Sequence, residues 1–331
     1  MKRLKITAEK IVSLRKVLIS LVLLGTVATL SALTVSPARL EVNGDKGTVI
    51  ENEFLLINEQ DAEITFYTSA ENFEAQGETG TPNFIPGKDG LASWIKVTDK
   101  ITLKKGDRIK VPFSVEIPPN ADAGGHFAGI FLSTVPPQAT DGGQVSVGAK
   151  VGMLVLLKVN GEVKEDAGIK SFNLKNNARF VTSLPVDFEY RFNNNGGDRV
   201  NPKGELIIRN SIGIKTEVLD ANKNIGNILP NSTRKFEVRW GEEESPAKSA
   251  SFFDHVKFQS RNFALGAYFA KLDLKYGESG TDSATALFFV LPWQLLIVVL
   301  VVIVVILSLL RIAIKRYNKW IIKQAKMAAG K

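Results

Sequence analysis

Residues 109 to 117 read I-K-V-P-F-S-V-E-I and decide the fold class of most of this chain. Every second residue is apolar, which gives an extended segment one face for a core and one face for water. Pro112 has no N–H to donate, so this segment is expected at a sheet edge or with the proline nitrogen towards solvent. The stretch therefore predicts a half-buried β-strand.

The same alternation recurs along the chain, at residues 64–66, 186–192, 236–240 and 268–276. Turn-forming residues separate these segments, at 43–45, 105–107, 160–161, 193–198 and 210–213. No ten-residue helical pattern interrupts them, so crossover helices and a parallel sheet are not expected. The pattern predicts antiparallel β-sandwiches.

The strands divide into two groups near residue 161, where an apolar strand ends in Asn160-Gly161 and a charged stretch follows. The predicted domains are residues 33–161 and 162–277, each roughly 110 to 130 residues, an ordinary domain size. The chain has no cysteine, so disulfides cannot stabilise these domains and their cores must do so. The residues from Pro136 to Gln144 are expected to form an exposed loop in the first domain.

An uncharged apolar stretch runs from 295 to 310 and is preceded by further apolar residues from 287. At about 1.5 Å per residue, a helix over 287–310 spans roughly 36 Å, enough to cross a hydrocarbon core of about 30 Å. Residues 278–286 are predicted to be a short stalk before it. Trp293 and Tyr317 bracket the stretch, as aromatic residues do at membrane interfaces.

The residues after the predicted span, 311–331, form a basic tail that the positive-inside tendency places in the cytoplasm. Residues 1–32 combine a basic start with an apolar stretch and predict a secretory signal peptide, with an uncleaved signal anchor as the alternative. Either version places the chain from Thr34 onwards outside the cytoplasm. The prediction is a single-pass protein of the cell membrane with an extracytoplasmic ectodomain.

The net charge of +8 does not indicate a nucleic-acid partner. Residues 1–16 and 311–331 carry +5 and +7, so the rest of the chain is net negative, at −4. The basic excess therefore belongs to the topogenic ends of the chain.

Few residues suggest chemistry. The chain has two histidines and lacks nucleophile, phosphate-loop and dinucleotide motifs, so we expect no enzyme, no catalytic residue, no cofactor and no metal. His126 follows two glycines at the start of a strand, where a hydrogen bond to the backbone is the simplest role. Asn195 and Asp198 lie in a polar turn that could bind a cation or partner. These three are the candidate binding residues.

Trp94 and Trp240 are expected in the core, with a carbohydrate platform as the alternative.

Several segments carry a family resemblance, at residues 33–41, Gly47, Asn58, 118–119, 124–131, 151–157, 195–204, 229–234 and 266–277. In their order they resemble exported bacterial proteins related to the WxL-interacting surface proteins. The resemblance implies a non-enzymatic surface protein whose second domain is immunoglobulin-like and whose first domain contacts peptidoglycan or another surface protein. It assigns no ligand-contact residue to this chain.

The predicted fold is an all-β ectodomain of two immunoglobulin-like β-sandwiches in tandem, followed by one C-terminal transmembrane α-helix. The predicted function is a membrane-anchored cell-surface binding or scaffold protein that contacts a cell-wall polymer or another exported protein. A membrane-tethered assembly chaperone for surface proteins is an alternative, and a basic cleft between the domains, with anchors such as Arg39, Lys110 or Arg191, would favour it. A second alternative is an accessory subunit of a secretion or signalling complex.

Overall fold

The computed structural model describes residues 33–86, 89–136, 150–247 and 249–330. Over these ranges the protein is mostly β-structure, with two separate cores and one long C-terminal helix. The predicted signal peptide, residues 1–32, lies outside the described residues, as does most of the predicted loop from Pro136 to Gln144.

The first sandwich contains ten strands and one short helix. They are β1 (Leu33–Ser36), β2 (Arg39–Gly44), β3 (Val49–Asn58), β4 (Ile64–Gln76), β5 (Thr81–Ile85), α1 (Leu91–Trp94), β6 (Ile95–Val97), β7 (Lys100–Leu103), β8 (Arg108–Glu116), β9 (Gly124–Ser133) and β10 (Lys150–Val159). One sheet has the order β1-β3-β8-β6, and the other has the order β2-β10-β9-β4-β5, with β7 also paired to β4.

The core of the first sandwich follows from the alternation that the sequence displays. Val111, Phe113 and Val115 point inwards from β8, while Lys110 and Pro112 face outwards. β8 lies between β3 and β6, but β6 pairs only with residues 113–115. Pro112 therefore lies just past the end of β6, where a missing N–H disrupts no described ladder on that side.

The second sandwich contains eight strands, one α-helix and a short 3-10 helix at Lys175–Asn177. The strands and the α-helix are β11 (Ala167–Leu174), β12 (Phe180–Val181), β13 (Val186–Asn194), β14 (Lys203–Asn210), β15 (Lys215–Asp220), β16 (Ser232–Trp240), α2 (Phe252–Arg261), β17 (Gly266–Tyr276) and β18 (Gly280–Val290). The sheets have the orders β11-β13-β16 and β12-β18-β17-β14-β15. Phe188, Tyr190, Phe192, Leu272 and Phe288 pack between them.

The helix α2 corrects the expectation that no helix interrupts the ectodomain. The Ser251 side chain accepts a hydrogen bond from the Asp254 N–H, and the Asp254 carboxylate accepts one from the Ser251 N–H. This capping box starts the helix by satisfying free N–H groups of its first turn. The spacing of Ser251 and Asp254 is the sequence signal that predicts such a start.

The prediction of a stalk at residues 278–286, and of a helix from 287, is wrong for a physical reason. Residues 280–290 form β18, which pairs along its whole length with β17 and buries Phe288 and Val290 in the second core. Apolar composition alone does not separate such a strand from the start of a membrane helix. The helix α3 (Trp293–Ala329) begins only after Pro292 and includes most of the basic tail.

One helix in the described part of the chain, α3, is long and apolar enough to cross a membrane. Its side chains from Leu300 to Leu310 are all exposed. A bilayer would cover such a surface, whereas the core helix of a soluble protein is buried by protein.

Candidate functional site: the cleft between the sandwiches

The two sandwiches meet where the outer face of the β2-β10-β9-β4-β5 sheet contacts one end of the second sandwich. Phe73 of β4 and Leu156 of β10 pack there against Leu229, which belongs to the loop before β16. The three side chains are almost fully buried. This small apolar cluster excludes water from the centre of the interface and fixes where the cleft lies.

A row of phenylalanines extends from this cluster across the outer face of the same sheet. Phe73 contacts Phe84 and Phe127, with ring centroids 5.8 Å apart in each pair, and Phe84 meets Phe131 edge to face at 4.7 Å. The Lys150 ammonium lies 4.1 Å from the Phe131 ring centroid. Because Phe84 and Phe127 are only half-buried, the row forms an apolar floor that is partly open to solvent.

Glu41 of β2 is the main polar connection between the sandwiches. One carboxylate oxygen accepts a hydrogen bond from Arg199 Nη2 at 3.1 Å, and the other accepts one from Asn227 Nδ2 at 3.0 Å. Arg39 Nε lies 3.3 Å from the second oxygen. Burial raises the pKa of Glu41, but the Asn227 hydrogen bond and the Arg199 and Arg39 charges together hold that pKa below its usual value.

The turn between β4 and β5 makes a second connection. The Glu78 carboxylate accepts a hydrogen bond from Arg191 Nε at 2.8 Å, and the Glu78 carbonyl accepts one from the Lys235 N–H at 2.8 Å. Gly80 has φ +76° and lies directly against the guanidinium of Arg234, so a Cβ at this position would overlap it. The positive φ therefore favours glycine here, and a larger residue would also have to displace the Arg234 guanidinium.

Two guanidinium groups, those of Arg39 and Arg234, line a cavity of about 90 Å³ in the cleft. Its other walls are mainly apolar and include Phe73, Leu154 and Leu229. Burial lowers the pKa of Arg234, and the nearby charge of Arg39 lowers it as well. Arg234 Nη1 donates a hydrogen bond to the Asn227 carbonyl. A small anionic group would fit between the two cations and relieve their repulsion.

Next to this cavity, the first half of β10 is an open sheet edge within the described residues. β2 pairs with β10 only from Leu154 onwards, and the Leu154 N–H donates to the Ala38 carbonyl. Alternate residues of a strand direct their N–H and C=O groups to the same side, so the Gly152 groups face the same side as those of Leu154. No described strand is hydrogen-bonded to residues 150–153 on that side, although β1 lies close to β10.

His126 has the role that its position predicts. Its Nε2 lies 2.9 Å from the Asp122 carbonyl, and its ring packs on Trp94 at a centroid distance of 4.7 Å. Trp94 in turn packs against the first core, and Trp240 is buried in the second, so neither ring forms an open platform for sugars. His126 therefore belongs to the inner side of its sheet, away from the cleft.

Asp198 lies in the domain contact, whereas Asn195 shapes the turn beside it. The Asp198 carboxylate is 3.5 Å from Lys158 Nζ of β10, and the neighbouring Gly197 carbonyl accepts a hydrogen bond from the Gly125 N–H. Asn195 accepts a hydrogen bond from Asn193 Nδ2 through its side chain. The structure does not bring His126, Asn195 and Asp198 together as one binding site.

Sequence reasoning missed the cleft residues Glu41, Arg199 and Arg234, since no short motif connects positions so far apart in the chain. The three suggested anchors each have an acidic partner, Arg39 with Glu41, Arg191 with Glu78 and Lys110 with Glu53. Of the three, only Arg39 also lines the cleft cavity. Among the described residues, no group of three acidic or histidine side chains could hold a metal ion. The cleft can therefore bind a ligand through cationic side chains, an apolar surface and backbone hydrogen-bonding groups.

Comparison with known proteins gives structural neighbours only. No family model and no curated protein matches the sequence. The class 5 fimbriae chaperone CfaA is 14% identical over 78% of this chain and 100% of its own, with a TM-score of 0.36. The E. coli chaperone DraB is 12% identical over 78% and 95%, with a TM-score of 0.33. The Pseudomonas aeruginosa chaperone CupB2 is 9% identical over 77% and 100%, with a TM-score of 0.35.

Proposed function

We propose that this protein is a membrane-tethered chaperone that holds an extended segment of another exported polypeptide in the cleft between its two immunoglobulin-like sandwiches. The observation that carries the proposal is the open edge of β10 at residues 150–153, directly beside the cavity lined by Arg39 and Arg234. A basic cleft between the domains is the feature expected for a chaperone and not for a general scaffold protein.

The open edge supplies affinity that does not depend on sequence. An incoming strand can bond to the Gly152 N–H and C=O groups and continue the sheet, as in binding by strand addition. Its outward-facing side chains would then lie beside Leu154 on the outer face of the sheet and towards Phe131 of β9, which pairs with Gly152. An unfolded client offers both features, because its backbone groups and apolar side chains are exposed.

The guanidinium groups of Arg39 and Arg234 would orient the bound client strand. A carboxylate of the client, from a side chain or the chain end, can accept hydrogen bonds from Arg39, which is half-exposed. Arg234, packed on the Phe236 ring at 5.4 Å, contributes its charge from the wall of the cavity. An anion bound there sets the position at which the client strand starts along β10.

The proposal includes a location for this site outside the cytoplasm. With α3 in the bilayer and its basic end in the cytoplasm, both sandwiches lie outside the cytoplasmic membrane, where exported polypeptides emerge. The resemblance to WxL-interacting surface proteins points to the same compartment. A cell-wall polymer as partner, and an accessory role in a secretion or signalling complex, remain predictions from the sequence.

The test uses the full chain in lipid nanodiscs with chemically unfolded exported proteins as clients. We expect the protein to suppress their aggregation in light-scattering assays and the client to slow hydrogen exchange at the Gly152 amide. The Leu154 amide is the internal control, because its N–H already bonds to Ala38 and should not change.

Arg39→Gln should weaken suppression of aggregation, whereas Lys110→Gln should not, because Lys110 lies on the other sheet and does not line the cleft cavity. An unchanged Gly152 exchange rate at saturating client would refute binding at this edge. Binding to isolated cell-wall sacculi without any suppression of aggregation would instead support the scaffold interpretation.

A further inference from the structure

Strand register identifies which end of the second sandwich lies next to the membrane helix. Asn210, the last residue of β14, pairs with Tyr268 of β17, and Tyr268 pairs with Phe288 of β18. β18 ends at Val290, and α3 begins at Trp293. The turn between β14 and β15, residues 211–214, therefore lies level with the last residues before the helix.

The surface at this end is apolar. In the β14–β15 turn, Ile212 is 77% exposed and Ile214 is 57% exposed. Phe253 at the start of α2 is 73% exposed, and Phe263 and Leu265, between α2 and β17, are also exposed. The β14–β15 turn, α2 and the loop before β17 thus all expose large apolar side chains, which is uncommon on a surface that faces only water.

The opposite end of the same sheet has a polar surface. The turn between β17 and β18 contains Glu278 and Ser279, and the Glu278 N–H donates a hydrogen bond to the Glu165 carboxylate in the linker between the sandwiches. Along the outer face of β18, Thr281, Ser283 and Thr285 are followed by Leu287 and Phe289. The change from polar to apolar side chains thus follows the direction of the membrane helix.

α2 is attached directly to the first turn of α3. The buried Gln259 side chain donates a hydrogen bond to the Gln294 side chain and accepts one at 3.0 Å from the Leu295 N–H. The Phe252 ring lies 6.1 Å from that of Trp293. Separating the two glutamine side chains would leave buried amide groups without hydrogen-bond partners, which is costly. This contact therefore fixes the position of α2 relative to the first turn of α3.

That position is at the membrane interface. A hydrocarbon core of about 30 Å inside a bilayer of about 40–45 Å leaves roughly 5–8 Å of headgroups on each side. Trp293 stands where an interfacial aromatic residue is favoured. At about 3.3 Å per residue, Val290 lies at most roughly 10 Å from Trp293 along the chain.

We infer that this end of the second sandwich forms a second membrane contact, in which Ile212, Ile214, Phe253, Phe263 and Leu265 enter the interfacial layer of the bilayer around α3. The occupant of the apolar surface is lipid, because the surface is continuous with the spanning helix and is held to its first turn. The ectodomain then has a fixed orientation relative to the membrane instead of moving freely on a flexible linker. The inference rests on the membrane assignment of α3 and is independent of client binding at β10.

The absence of native cysteine allows single-cysteine spin labelling of the full chain. Test variants are Ile212→Cys and Phe253→Cys, with Ile214→Cys and Phe263→Cys as substitutes if either fails to fold. Ser279→Cys, at the opposite end of the sheet, is the exposed control, and Ser308→Cys, inside α3, is the control for the span. The protein is placed at one copy per nanodisc of phosphatidylcholine and phosphatidylglycerol, and collisions with oxygen and with a water-soluble nickel chelate are compared.

We expect the ratio of oxygen to nickel collisions to be several-fold higher at positions 212 and 253 than at 279. Nickel accessibility equal to that at 279 would overturn the inference, and so would shielding from both reagents, which would mean that the chain itself covers these positions. If the label at 308 also fails to favour oxygen, the membrane assignment of α3 itself is wrong. A positive result at 308 with negative results at 212 and 253 would reject the second contact alone.

Discussion

The Arg199 guanidinium lies 3.1 Å from the Glu41 carboxylate, and this contact joins the two sandwiches across the cleft. Arg199 is 13% exposed at its side chain and Glu41 is 38% exposed, so the pair is partly screened by water. Asn227 donates to the other oxygen of the same carboxylate. Glu41 thus connects the first sandwich to two separate loops of the second.

Glu41→Gln should loosen the domain contact without unfolding either sandwich. The substitution removes the charge but keeps the shape of the side chain, and we expect a loss of about 1 kcal/mol because exposed ion pairs contribute little. Chemical denaturation of the full chain in detergent measures the effect. Glu51→Gln is the control, since Glu51 is exposed on β3 and forms no ion pair among the described residues. Equal losses in the two variants would contradict a special role for Glu41.

The contribution of Glu41 should depend on pH in a defined direction. Its pKa is lowered in the folded protein, whereas in the unfolded chain a glutamate titrates at about 4.3. The stabilisation is then fully present above that value and is lost as the pH falls through the lower folded-state pKa. The difference in unfolding free energy between the wild type and Glu41→Gln should therefore shrink between pH 7 and pH 3. A constant difference would show that ionisation of Glu41 is not what stabilises the contact.

Gly80 and Gly106 provide a matched pair for testing the cleft. Both have φ +76°, but only Gly80 lies against another side chain, that of Arg234. Alanine at either position should cost about 1–2 kcal/mol from the left-handed backbone. Gly80→Ala should in addition displace the Arg234 guanidinium and weaken client binding, whereas Gly106→Ala should leave binding unchanged. Aggregation suppression by the two variants, compared at equal folded fractions, distinguishes these effects.

The end of β18 sets where the membrane helix can be removed. A chain that ends after Leu291 should give a folded ectodomain, because it keeps Phe288 and Val290 in the second core. A chain that ends after Ala286 loses both, and the absence of a buried phenylalanine alone costs about 3–5 kcal/mol. Thermal unfolding and limited proteolysis of the two products measure the difference. Equal stability would contradict the place of β18 in the sandwich.

The sequence predicts the class of structure well where one local pattern has one solution. Alternating residues such as Val111, Phe113 and Val115 bury one face of a strand in the structure as they do in the pattern. The prediction fails at residues 287–291, where a buried strand and a membrane helix share the same apolar composition. The prediction also misses α2. The only sequence pattern that marks this helix is the Ser251–Asp254 capping box, because the segment has no long apolar stripe.

The sequence by itself determined that strands dominate the chain, that one stretch is long enough to cross a bilayer, and that the excess positive charge lies at the ends. These properties are local, since periodicity, length and charge can be read from neighbouring residues. Only the tertiary structure decided that Glu41 meets Arg199, that Arg39 and Arg234 share a cavity, and that Ile212 lies level with the start of α3. These relationships connect residues far apart in the chain, and they depend on strand register and on how the sandwiches pack.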